Sequence, residues 1–272
     1  ITNKPIASAA IELQVSPTTL RTTANKHGIV TYSRRKNQYE DLIFNLLTEH
    51  NVVFEQNNRS VLQGKELDFY IQHLNFSLEG NGMCWHSVLM GKDRLYHVSK
   101  TEACATKGIR LLQFWDYQID ENWPVVASMI LNAVGCTKIK IGARKTKLIQ
   151  ITSAECSSFL SANHLQGSIN ASIRYGLMYN GELVSVMCFG GSRFKQGEYE
   201  LLRFANKINY QVVGGASKLL TAFLNDNPII STVISYASRD ISMGNMYTQI
   251  GFVEITKTSP AYMYFLNRIV YN

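Results

Sequence analysis

Asp68 in Glu66-Leu67-Asp68-Phe69-Tyr70-Ile71 and Glu79 in Phe76-Ser77-Leu78-Glu79-Gly80-Asn81-Gly82 sit in two short runs of alternating apolar residues, a pattern that predicts strands. Paired as a hairpin, the runs bring Asp68 close to Glu79 and the Gly80 carbonyl, and a glycine-flanked turn then delivers His86. Two oxygen ligands for a hard cation beside one imidazole suit hydrolysis. A bound Mg²⁺ or Mn²⁺ polarises a phosphodiester oxygen and acidifies its water, and a histidine moves a proton near neutral pH. Plainer readings stand beside this one. Asp68 also suits a turn or sheet edge, Glu79 suits an exposed edge charge that blocks pairing, and Cys84, His86, His97 and Cys104 could together hold a structural zinc, at spacings poor for a finger.

The stretch from Asp68 to Trp85-His86, with Gly82 between, resembles the core of the very-short-patch-repair (Vsr-like) endonucleases and the related EDxHD homing endonucleases, a branch of the PD-(D/E)XK fold. The resemblance covers roughly residues 36 to 135. It implies a helix glutamate ahead of the site, matched by Glu40, and a proton-handling residue on a helix from about Arg94 to Lys107, where His97 stands in place of the family's aspartate. It also implies a strand over Gly108–Phe114 ending in the pair Trp115-Asp116. The function implied is a Mg²⁺-dependent endodeoxyribonuclease of the homing or mobile-element kind, cutting double-stranded DNA. Asp68, Glu79 and Gly80 would hold the metal, and Glu40, Asp68, His86 and His97 would do the chemistry.

The elements that must position such a site need room, and 272 residues with 46% hydrophobic content supply more than one core. Lys and Arg outnumber Asp and Glu by 27 to 20, a net charge of +7 that favours a polyanionic partner. No apolar run is long enough to span a bilayer, so no membrane partner is expected. Five cysteines without short paired spacing point to a reducing, cytoplasmic compartment, the host's if the chain is phage-encoded. The sequence does not set an oligomeric state.

At the front, Pro5–Leu13 carries helical spacing, Gln14-Val15 turns, and Ser16-Pro17 offers an N-cap with proline in the first turn of a second helix ending at Gly28. This resembles the helix-turn-helix modules of DNA-binding regulators. Thr18, Thr19, Arg21 and Lys26 on the second helix, with Arg34 and Arg35 in the following basic linker, are the residues placed to meet DNA. A plain helical hairpin is the alternative.

In the last half, Ser172–Tyr179 and Leu183–Phe189 read as strands joined by Asn180-Gly181, a strong hairpin signal. Glu198–Phe204 reads as a further strand, and Gln211–Ser217 leads into a helix. Glycines at a helix start let backbone amides approach an anion. Gln211-x-x-Gly214-x-Ala216 resembles the pyrophosphate-binding pattern of GNAT acyltransferases, and Asn245-Met246-Tyr247 leading to Gly251-Phe252 resembles their late helix-strand signature. The likeness implies a cofactor site at Gln211, Gly214, Gly215, Ala216 and Tyr247, with acetyl-CoA as a secondary expectation. The expected fold class is mixed α/β. Residues 1–35 form a small helical helix-turn-helix, 36–137 a PD-(D/E)XK Vsr-like nuclease domain, and 138–272 a GNAT-like α+β domain. An acyltransferase or DNA-modifying enzyme, and an inactive DNA-binding protein, are the alternative functions.

Overall fold

A computed structural model describes residues 13–27, 38–83, 95–192, 195–260, 264–266 and 269–271. The chain forms two compact units, residues 1–45 and 46–272. In the first, helix α1 (Pro17–Lys26) starts where Ser16 accepts the Thr19 amide on its Oγ at 3.0 Å, which satisfies one of the orphan donors of the first turn. The partner helix expected over 5–13 lies outside the described residues apart from Leu13, as do Arg34 and Arg35. One helix does not make a helix-turn-helix, so that expectation stays at the level of sequence. Helix α2 (Gln38–Glu49) begins in this unit and carries Glu40 in its first turn.

The second unit opens with a four-stranded sheet in the order β1-β2-β3-β4, built from β1 (Glu55–Leu62), β2 (Lys65–Ile71), β3 (Phe76–Asn81) and β4 (Arg110–Trp115). The first two pairings are antiparallel. The last is parallel, crossing over through α3 (Tyr96–Thr106), as a parallel pair requires. Cys104 on α3 packs with Leu62, Leu67, Tyr70, Ile109 and Leu111. Strand β1 runs through Asn57-Asn58-Arg59, because an edge strand, exposed along most of its length, tolerates polar residues. Helix α4 (Asp116–Ala133) kinks at Asn122, two residues before Pro124, which cannot donate to the preceding turn.

Two layers of helix sandwich the second sheet, of order β11-β9-β8-β7-β6. Its strands are β6 (Lys147–Gln150), β7 (Ile173–Tyr179), β8 (Glu182–Gly191), β9 (Tyr199–Asn206) and β11 (Val233–Ile234). The β7-β8 hairpin turns at Asn180 and Gly181, both with positive φ, as the sequence requires. Helix α5 (Ser153–Asn163) is tied down by the reciprocal Thr152 and Glu155 capping box. It covers one face through Cys156, Phe159 and Leu160. Helix α6 (Gly215–Asp226) covers the other through Leu219, Leu220 and Phe223. Ahead of α6, β10 (Tyr210–Val213) pairs in parallel with β5 (Ile139–Gly142). Strand β5 takes in Lys140 and sends Ile141 into the second core. Past β11 the chain reaches the short helix α7 (Asn245–Gln249), and a small hairpin, β12 (Tyr264–Leu266) with β13 (Ile269–Tyr271), follows.

One seam joins the two sheets. The outer edge of β4 takes a partner from the segment after β11, where the Gln113 amide donates to the Asp240 carbonyl at 2.8 Å. The Trp115 indole donates to the Asp240 carboxylate at 3.4 Å, and Arg239 pairs with Glu102 of α3 at 3.0 Å.

Candidate functional site

Asp68 and Glu79 meet where the β2-β3 register predicts. The Asp68 amide donates to Glu79 Oε1 at 3.2 Å, and the Gly80 amide donates to Asp68 Oδ2 at 3.0 Å. Glu79 is 2% exposed, and its Oε2 is taken by the ammonium of Lys100, itself 6% exposed, reaching across from α3. Burial pulls the Lys100 ammonium down, but the charge and hydrogen bond of Glu79 outweigh it and hold the lysine above its usual range. Glu79 is thus a buried, closed ion-pair partner. Among the described residues, no group of three or more His, Cys, Asp or Glu is arranged to hold a metal ion.

His97 lies in a neighbouring polar network. Its Nδ1 donates to Gln113 Oε1 at 2.8 Å, which also accepts from Asn81 Nδ2 at 3.1 Å, while Gln113 Nε2 donates to Thr101 Oγ1 at 2.8 Å. The amide oxygen can only accept, so this bond fixes the His97 tautomer. The imidazole rests on Trp115 at 4.7 Å between ring centres. His86 and the cysteine beside it, Cys84, lie outside the described residues, and Glu40 stands half-buried on α2 in the first unit.

The second sheet holds the other candidate site. Strand β9 pairs with β8 along its whole length to Asn206, but with β11 only at Tyr199 and Glu200. From Leu201 onward its outer edge therefore has no strand partner among the described residues. A bulge sits at the parting: Cys188 opposes Arg203 and Phe189 opposes Leu201, leaving Leu202 as the extra residue. Ser235, the first residue past β11, bridges the gap by donating from Oγ to the Leu201 carbonyl at 3.0 Å, and this Oγ is 3.4 Å from the Tyr247 hydroxyl. Tyr247 is set by edge-to-face packing on Phe252 at 5.7 Å. Glu200, only 7% exposed, keeps an Oε2 without a hydrogen-bond partner.

Strand β9 runs on through a turn and β10 to the N-terminus of α6. There Gly214 adopts φ +78° as the cap, Gly215 and Ala216 are buried in the first turn, and that turn carries no acidic residue. A Cβ on Gly215 would come within 3.1 Å of the Val212 side chain, which explains the second glycine. Gln211 lies half-buried within β10, its backbone in register with Lys140. Glu200 and Ser235 went unremarked as site residues in the sequence, since only the parting of two strands gives them a role.

Beside this sheet, burial and the charge of Arg203 lower His164 to about 4, and its Nδ1 already accepts the Gln166 amide at 3.1 Å. The fold holds it neutral while an unfolded chain protonates it near its usual value. Stability is therefore lost as pH falls from about 6.5 towards 4, by up to ~3 kcal/mol at 1.36 kcal/mol per unit. Urea midpoints at pH 7 and 4.5 should differ less in His164→Gln than in the wild type.

No family model and no curated protein matches the chain. Solved structures with a similar stretch include several acetyltransferases. An aminoglycoside acetyltransferase from an uncultured soil metagenomic sample is 15% identical over 46% of this chain and 98% of its own, with a TM-score of 0.36. A ribosomal-protein-alanine N-acetyltransferase from Brucella melitensis biovar Abortus 2308 is 15% identical over 44% and 99%, at 0.34. A GNAT-family acetyltransferase from Streptococcus pneumoniae TIGR4 is 15% identical over 46% and 99%, at 0.33.

These findings correct the endonuclease reading. Glu79, expected with Asp68 and Gly80 to bind Mg²⁺ or Mn²⁺, is neutralised by Lys100, and the described residues bring no third acid, His or Cys to them. Of the two acids that suggested a metal-dependent hydrolase, Glu79 builds a structural ion pair with Lys100 and Asp68 accepts the Gly80 amide. No helix of the described residues is long and apolar enough to cross a membrane.

Proposed function

We propose that the second sheet binds an acyl-CoA and transfers its acyl group to an amine. The observation that carries this is the parting of β9 from β11 on the strand that leads to a glycine-capped helix N-terminus. Each part suits one portion of such a molecule. The unpaired amides at the start of α6, with Gly214 leaving the backbone open, suit the pyrophosphate. The unpartnered edge of β9 suits the amide-bearing pantetheine arm, which can lie there as an added strand. When bound, acyl-CoA supplies a thioester carbonyl. Glu200, buried and with an unused oxygen, would take a proton from the acceptor amine, and the Tyr247 hydroxyl, near Ser235, would give one to the departing sulfur. The GNAT-like stretch of the chain supports the same reading.

The test is calorimetric titration of acetyl-CoA into the full chain and into Ser217→Glu. Ser217 is exposed in the first turn of α6, where a glutamate favours the helix dipole but repels a phosphate. Saturable binding by the wild type, weakened at least about tenfold in the variant without loss of melting temperature, is expected on the size of single-charge effects. Absence of binding by the wild type would overturn the proposal.

A further inference from the structure

Between Thr137 and Gln150 the chain carries Lys138, Lys140, Arg144, Lys145 and Lys147 and no acidic residue. All of these cations are exposed, and none forms an ion pair among the described residues. Glu182, on the β7-β8 hairpin of the same sheet, is already paired with Lys207 at 2.8 Å. Solvated charge runs are common on flexible loops, but this one is mounted on fixed backbone. Strand β5 is held in register by β10, with Ile141 anchored in the core. The 3-10 turn over Ala143–Lys145 is clamped by Lys218, whose Nζ donates to the Ala143 carbonyl at 2.9 Å and the Thr146 carbonyl at 2.6 Å. Thr146 Oγ1 adds a bond to Ala143 at 2.7 Å. One lysine is spent internally to hold the others outward.

We propose that this strip, residues 138–147, docks the phosphate backbone of double-stranded nucleic acid, independently of any acyl transfer. Lys140 lies within β5 and Lys138 just ahead of it, and two residues of extended chain span about 6.6 Å, comparable to the roughly 6.8 Å that two phosphate steps rise along a duplex axis. The strip carries more positive groups than the phosphates of one CoA could engage, and it extends from β5 past the turn to β6, an edge strand of the second sheet. The contact reads charge and spacing, so it carries no sequence preference.

Anisotropy of a labelled 20-base-pair DNA duplex, titrated with the full chain between 50 and 200 mM salt, tests this against the variant with all of these cations changed to Gln. If the strip contributes five phosphate contacts, its part of the affinity falls roughly 500-fold over that range, and the variant's log–log salt slope is shallower by about 4.5. A variant with the lysines changed to Arg keeps the slope. An unchanged slope in the Gln variant overturns the proposal, as does displacement of the duplex by saturating CoA, which would make the strip a cofactor clamp. Strip-dependent binding to phosphatidylserine vesicles with no binding to the duplex also overturns it. An RNA duplex bound as tightly as DNA supports the backbone contact.

Discussion

Replacing Lys100 with Met is expected to cost about 3–5 kcal/mol of unfolding free energy, because it strands the carboxylate of Glu79 in a dry interior. Methionine fills much the same space, so the loss is electrostatic and not a cavity effect. Denaturant unfolding checks the size, and the double variant Glu79→Gln/Lys100→Met checks the cause. Removing both charges is expected to recover most of the loss, since buried pairs are costly chiefly when broken. A double variant as unstable as the single one would refute the pairing.

The second large effect belongs to Tyr247. If its hydroxyl supplies the proton to the departing thiol, Tyr247→Phe lowers kcat for acyl transfer by about 10²–10⁴-fold and leaves acetyl-CoA affinity nearly unchanged. Free-thiol release reports the rate and calorimetry the binding. Phenylalanine keeps the packing on Phe252, so the split between rate and affinity separates a chemical role from a structural one. A Tyr247→Phe protein as fast as the wild type would remove the hydroxyl from the reaction.

Much of the local structure was legible in the sequence. Asn180-Gly181 fixed one hairpin, the alternation around Asp68 and Glu79 fixed another, and glycines marked the start of α6. What escaped were partners brought in from afar. Lys100 reaches Glu79 only because a crossover helix lies over the sheet, and the parallel pairing of β5 with β10 joins segments some seventy residues apart. Neither has a local signature. The misreading of Asp68 and Glu79 has the same origin: two acids at a strand end suggest a cation, and the cation proved to be an ammonium on another element. Glu200 and Ser235 were invisible because their significance lies in two strands ceasing to pair.

The seam at Asp240 bears on how the protein can be handled. Severing the chain between residues 137 and 138 would strip the Gln113 amide of its acceptor and leave β4 as a raw margin. The same cut would release the segment that leads from Ser235 to Tyr247 from its anchor on the first sheet. Fragments made that way should clump or lose their hydroxyl's aim, so biochemical work on either half is best done with the polypeptide intact.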